Sequence, residues 1–295
     1  MKKLEEEVPA EVLGNMDSLE HQTVNMSEIV GSHDILFVCL DTLRYDAAKE
    51  EEERGGTPVL NAYGPWKKCH APGNFTLPSH MAMFAGYLPS PAEYVPLMER
   101  ERLFAPKTVG MGEKRSQYSF CFEEATFVQG LEKVGYDTIC IGGVGFFNKQ
   151  SELSRVMPGY FKESYWRPAF RCTVKESPVH QVDFAIRKLQ EKDPKQRVMM
   201  YINVSAIHYP NYFYGKGTKT DNIETHRAAL RYVDHELERL FAAFQKRNDT
   251  FVIVCSDHGT CYGEDGYQFH CHSHEIVNTV PYKHFVLRRE QWRNT

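Results

Sequence analysis

Three apolar runs, each breaking off at a chemically reactive residue, constrain this chain most. Ile35 to Leu40 (ILFVCL) is rich in β-formers and stops at Asp41. TFVIVCS, from Thr250, stops at Asp257-His258-Gly259. VMMYINVSAI, from Val198, runs into His208. Short apolar runs without polar alternation read as strands buried on both faces. Strands of that kind need helices on either side.

The intervening segments supply those helices. Pro78 and Gly86 bracket a short one, with Ser79 and His80 in its first turn. Residues 120–134 read as another, and SPVHQVDFAIRKLQEK, from Ser177, opens with a Ser-Pro entry. The segment 221–248 places Ala229, Tyr232, Val233, Leu237, Leu240 and Phe241 at helical spacing. YDTICIGG (136–143) reads as a further strand, and YKHFVLR (282–288) as a last one. The stretch from Phe146 to Thr173 reads as an irregular insertion, either a pocket wall or ordinary packing. The expectation is an α/β fold, a three-layer αβα sandwich with a mostly parallel central sheet.

At 295 residues and 42% hydrophobic, the chain suits a single core-bearing domain, expected over 31–295 behind an N-terminal extension of residues 1–30. A formal net charge of −4 and the lack of a basic stripe argue against a nucleic-acid partner. MKKLEEEVPAEV carries no apolar segment of a secretory signal, and no apolar run exceeds six residues, so no membrane span is expected. Eight cysteines without repeated spacing suit a reducing, cytoplasmic location.

Open parallel sheets bind ligands beyond the carboxyl ends of their strands. If the three runs are parallel, Asp41, Asp257, His258 and His208 converge on one edge. Mixed carboxylate and imidazole donors suit zinc or manganese. Singly, Asp41 reads as a turn or cap residue. Thr76, just before the Pro78 helix, reads from local sequence as a cap. It also lies where a helix N-terminus holds anions, and a divalent ion lowers the pKa of a hydroxyl it binds. Downstream, His270, His272 and His274 alternate, which in an extended segment puts all three on one side. Glu264 and Asp265 read as loop-ordering residues. A structural zinc knuckle from Cys255, Cys261, Cys271 and His272 lacks the usual paired cysteine spacing.

FVCLDTLRYD, TLPSHMAMFAGYLP, AALRYVDHELERL and VIVCSDHG…GEDG…VP occur in that order over about 250 residues. Together they resemble the alkaline phosphatase/sulfatase superfamily of metallohydrolases. CIGGVGFFNK, NVSAIHYPN and SDHGTCYGEDGY are most similar to a small sulfatase-like subgroup associated with radical-SAM enzymes. The resemblance implies an alkaline phosphatase-like fold holding one or two divalent ions, zinc or manganese. It places Asp41, Asp257 and His258 as metal ligands and Thr76 as nucleophile and ligand. It places one histidine of 270–274 at a further ligand position, with His270 the first candidate, His274 the second and His272 the third. His208 takes a substrate-contacting or second-metal position, and His80 stands where sulfatases carry an arginine.

Sulfatases oxidise Cys or Ser at the nucleophile position to formylglycine, and threonine cannot become an aldehyde. The resemblance therefore implies a metal-dependent hydrolase of a phosphodiester or phosphomonoester, working through a covalent phosphothreonine. His208 or His80 would serve the phosphoryl oxygens or the leaving group. The substrate is expected to be a small-molecule or peptide-derived ester, and radical-SAM enzymes are the expected pathway partners. The alternatives are a phosphoryl-type transferase or mutase, with Phe146 to Phe170 as acceptor pocket, a sulfuric ester hydrolase, and a non-catalytic binding module.

Overall fold

The computed structural model describes residues 24–86 and 125–290, with the backbone of two short paired strands, Arg102–Phe104 and Ser119–Cys121, between them. A seven-stranded sheet forms the centre. Its strands are β1 (Asp34–Leu40), β2 (Lys67–His70), β3 (Asp137–Ile141), β4 (Glu163–Tyr165), β5 (Val198–Val204), β6 (Thr250–Cys255) and β7 (Thr279–Leu287), in the order β2-β7-β6-β1-β5-β3-β4. The strands β6, β1, β5, β3 and β4 run parallel, and β7 is antiparallel to β6 and β2. Val38 lies opposite Ile202 on one side and Val254 on the other, so the three apolar runs are neighbours in register.

The two faces are set by alternation along β1. Leu36, Val38 and Leu40 point to one side and pack under the helices α1 (Tyr45–Glu53), α4 (Ser177–Gln190) and α5 (Ile223–Gln245). Ile35, Phe37 and Cys39 point to the other, under α2 (Thr76–Ala85) and α3 (Phe127–Lys133). The result is a three-layer αβα sandwich, as expected from the strand-helix alternation. α5 starts at Asn222, whose side chain accepts from the N–H groups of Glu224 and Thr225. It buries the apolar stripe read from the sequence, except Tyr232.

Two strands escape the sequence reading because neither has an apolar run. β2 is a polar, largely exposed edge, and β4 is three half-buried residues inside the segment read as irregular. That segment is mostly packing: Phe147, Phe161 and Phe170 lie in the core, so they form no acceptor pocket. The helix read over 120–134 is confined, within the described residues, to α3, behind a capping box at Thr126. Of the extension drawn over 1–30, residues 1–23 fall outside the described residues, and Ile29 is buried against the second face. No helix among the described residues is long and apolar enough to cross a membrane.

At the amino end of β1 a buried carboxylate is fully partnered. Asp34 Oδ1 accepts from the Val198 N–H at 2.9 Å, and Oδ2 accepts from Arg247 Nε at 3.0 Å and Asn248 Nδ2 at 3.1 Å. The carboxyl end of the same strand is built differently.

Leu237 is fully buried at the centre of the α5 interface. Leu237→Ala is expected to lower stability by about 2–5 kcal/mol, because the rigid sheet beneath cannot collapse into the gap. The urea midpoint would fall accordingly with metal affinity unchanged, and a midpoint equal to wild type would contradict this packing.

Candidate metal centre

Face parity decides which side chains meet. Asp41 continues the alternation of Phe37 and Cys39, Asp257 that of Phe251 and Cys255, and Asn203 that of Met199 and Tyr201. All three therefore emerge at the carboxyl edge on the α2 side. Asp41, Asp257, His258 and Asn203 are fully buried, and Thr76 is 3% exposed.

Each member of the set has one atom clamped and one open. Asp41 Oδ2 accepts from Asn203 Nδ2 at 2.8 Å, while Oδ1 has no hydrogen-bond partner. Asp257 Oδ1 accepts from the N–H groups of Thr42 at 3.2 Å and His258 at 3.1 Å, while Oδ2 has none. His258 Nδ1 is 2.9 Å from the Gly259 carbonyl, an acceptor, so that nitrogen carries the proton; Nε2 is left as an unpartnered lone pair. One ligand atom from each of Asp41, Asp257 and His258 lies within 4.8 Å of the others. His258 Nε2 stands 3.5 Å from Asp257 Oδ2.

The electrostatics are those of a site that needs a cation. Burial, then the neighbouring Asp257, pushes the Asp41 carboxyl up to about 6, and burial pushes Asp257 up to about 7. Burial also lowers His258. Two adjacent desolvated carboxylates with open oxygens, beside an imidazole lone pair, fit a zinc-like ion. Among the described residues no Lys or Arg pairs with them as Arg247 pairs with Asp34.

The surroundings hold these groups in place. Asn203 Oδ1 accepts from the N–H groups of Gly143 at 3.2 Å and Val144 at 3.0 Å, which turns its amide nitrogen toward Asp41. A Cβ on Gly143 would come 2.5 Å from the Asn203 carbonyl oxygen, so only glycine fits. Gly259 is required likewise, since its Cβ would lie 2.1 Å from the Ile276 carbonyl oxygen. Thr42, a β-branched residue, sits at φ +65°, a strained conformation that aims its N–H at Asp257.

Thr76 is the first residue of α2, and the cap is Phe75, which contributes no side-chain hydrogen bond. The cap reading of Thr76 is thus corrected: its hydroxyl is free of that duty. It is among the groups that pull the Asp257 carboxyl back down. The helix begins two residues earlier than its proline suggested.

The histidines separate. His258 and His270 have ring centroids 4.5 Å apart, and His270 and His208 are 5.5 Å apart. His270 Nδ1 is buried and unpartnered. His208 Nδ1 lies 2.6 Å from the Tyr209 carbonyl, leaving Nε2 open. His274 does not join them. It caps the short helix Glu275–Asn278, its Nδ1 accepting from the Ile276 N–H at 3.1 Å, and its Nε2 meets Asp265 at 3.1 Å. Phe269 and Cys271 take φ of +61° and +72°, so the segment is not extended and the one-sided alternation fails. His272 is exposed. His80 is also spoken for: Nδ1 lies 2.7 Å from the Thr76 carbonyl, Nε2 hydrogen-bonds the Tyr201 hydroxyl, and the ring is fully buried. No ring nitrogen of His80 is left for substrate. Cys255, Cys261, Cys271 and His272 are not a converging set among the described residues.

Sequence reasoning missed the brace behind the site. Arg44 pairs with Asp46 and Glu264, tying the loop after β1 to the loop after β6. Its N–H donates to buried His226 Nε2 at 3.3 Å, and His226 Nδ1 meets the Tyr262 hydroxyl at 2.9 Å. His226 lies inside α5, where nothing local marks it. Glu264 does order its loop, as read.

The sulfatase family model matches residues 33–282. A search of curated proteins finds no match. Among solved structures, the periplasmic domain of EptC from Escherichia coli, in complex with zinc, aligns at TM-score 0.59 and 14% identity, over 88% of this chain and 74% of that one. The lipoteichoic acid synthase LtaP from Listeria monocytogenes aligns at 0.55 and 13%, over 88% and 66%. An alkaline phosphatase superfamily protein from Vibrio parahaemolyticus aligns at 0.54 and 17%, over 90% and 62%. At these identities the likeness is one of fold.

In metal-stripped protein, Asp41→Asn is expected to be stabilising, and the gain should depend on pH. The folded state disfavours ionised Asp41, so its cost is present above about pH 6 and disappears as pH falls toward the ordinary carboxylate range. The variant's advantage should grow from near zero at about pH 4 to about 2–3 kcal/mol at about pH 8. Added zinc should raise the melting temperature of wild type far more than that of the variant. A difference flat with pH would show that the carboxylate is not held at a cost.

Proposed function

The chain belongs to the sulfatase family, and we propose that it hydrolyses a phosphate ester with a bound divalent ion, zinc or manganese, through Thr76. The observation that supports this most is the convergence of the open atoms of Asp41, Asp257 and His258 beside a threonine that starts a helix. Asp41, Asp257, His258 and Thr76 would hold the ion. When bound, it supplies positive charge for the phosphoryl oxygens and lowers the pKa of the Thr76 hydroxyl.

The chain's own groups do the rest. The Thr76 hydroxyl loses its proton to water, its oxygen attacks phosphorus in line, the ester oxygen leaves, and a phosphothreonine forms that water then cleaves. The first N–H groups of α2 have no intrahelical acceptor, and the helix dipole favours an anion there. His208, as an imidazolium carrying a second proton on its open Nε2, would give that proton to the leaving oxygen, and His270 would bind a phosphoryl oxygen; were the two to hold a second ion instead, water would supply the proton. His80 acts as a positioning residue, fixing the first turn of α2 against Tyr201.

A transferase is the second reading, favoured by fold neighbours named as phosphoethanolamine transferases. It uses the same covalent intermediate with an acceptor other than water. The family's sulfate-ester chemistry is the weaker reading, because threonine cannot supply an aldehyde. A peptide-derived or small-molecule substrate, radical-SAM pathway partners and a cytoplasmic setting rest on the sequence resemblance and cysteine usage alone.

Thr76→Ala, assayed at saturating metal because a ligand oxygen is lost, should lower kcat on generic phosphomonoesters or diesters by at least about a thousandfold, and Thr76→Ser should keep measurable turnover. Rapid-quench trapping of phosphate on Thr76 would separate the covalent route from direct attack by water. Wild-type rates in the alanine variant would remove Thr76 from the mechanism.

A further inference from the structure

Rings extend outward from the metal centre in an unbroken series. His258 meets His270 at 4.5 Å between centroids, His270 meets Tyr209 at 5.7 Å, and Tyr209 meets Phe269 at 4.7 Å. The series begins fully buried and ends at Phe269, which is 47% exposed. A phenylalanine at φ +61° is a rare conformation, and neither solvent nor local sequence calls for it here. It is held by the next turn of chain: Cys271, at φ +72°, donates its N–H to the Asn74 carbonyl at 2.8 Å, two residues before Thr76. That hydrogen bond joins the loop bearing Phe269 and His270 to the loop bearing Phe75, which packs against Phe146 at 6.2 Å. Exposed aromatic surface therefore stands beside the approach to the nucleophile, at a cost in backbone strain.

We propose that Phe269 and Tyr209 form a subsite for a planar aromatic group on the leaving side of the ester. The proposal rests on the phosphate-ester reading above and adds the substrate class. A cationic group is the other occupant that aromatic rings accept, but it is held best by rings that surround it, and these stand side by side. The rings fan at 39° and 48° to one another rather than enclosing a cage. A flat ring meets such a surface by offset or edge contact.

The test uses binding rather than turnover. Phenylphosphonate, methylphosphonate and 2-aminoethylphosphonate are titrated calorimetrically into the zinc-loaded full chain, as wild type, Phe269→Ala and Phe269→Trp. Wild type should prefer phenyl over methyl by about 3- to 10-fold, the scale of one aromatic contact. Phe269→Ala should bring that ratio near one with methylphosphonate affinity unchanged, and Phe269→Trp should keep it. Tyr209→Leu is the second variant if Phe269→Ala loses its thermal transition. An equal phenyl-to-methyl ratio in wild type and alanine variant overturns the subsite. So does a loss confined to 2-aminoethylphosphonate, which would mark a cation site. If no phosphonate binds wild type, the phosphate-ester reading falls and the subsite with it, an outcome distinct from binding without preference.

Discussion

Two carboxylates are buried side by side with no Lys or Arg partner among the described residues, and the rest of the site answers to that. Like charges out of water repel and lose hydration, so each would rather be neutral; the shifts of Asp41 to about 6 and Asp257 to about 7 express it. Asp34, one strand length away, shows what the same fold does when a buried carboxylate is structural: every oxygen is met by a donor. At the other end one oxygen per carboxylate is met and one is kept open. The open oxygens of Asp41 and Asp257 and the open nitrogen of His258 are thus disposed so that one divalent ion fits among them.

The fold makes that arrangement reproducible. A parallel register puts Cys39 opposite both Asn203 and Cys255, so Asp41 and Asp257 stand two residues beyond that level, with Asn203 just beneath them, and alternation sends all three to the same face. The side toward which they point is covered by α2, whose first turn carries Thr76, and His80 locks that turn to Tyr201 in β5. Close backbone approach at Gly143 and Gly259 brings the supporting loops in, where any side chain would hold them off. Strain at Thr42 turns one more N–H inward.

Much of this was legible in the sequence because strand ends are marked by composition. Asp41, Asp257 and His258 follow apolar runs, and a run buried on both faces has little choice but to be a central strand. The legible part ends where local signals end. β2 and β4 contribute backbone pairing without an apolar pattern. The histidines at 270 and 274 looked equivalent because alternation presumes extended backbone, and two left-handed residues between Gln268 and His272 break that presumption. His80 looked available because its partner, Tyr201, lies 121 residues away. Asn203 was noticed as an uncharged residue where an acid was expected, and only the pairing of β1 with β5 shows it gripping Asp41.

That uncharged residue bears on stoichiometry. One divalent ion balances Asp41 and Asp257 completely. A second, if held by His208 and His270, would meet only neutral donors among the described residues, since Asn203 supplies no charge and Glu264 is committed to Arg44. Two positive charges would then be left without a counterion in a partly desolvated pocket, a costly state. A dianionic phosphate ester supplies the missing charge. Under the proposed reading, a second ion held there and a dianionic substrate would stabilise one another, and His208 would then be a ligand rather than the acid.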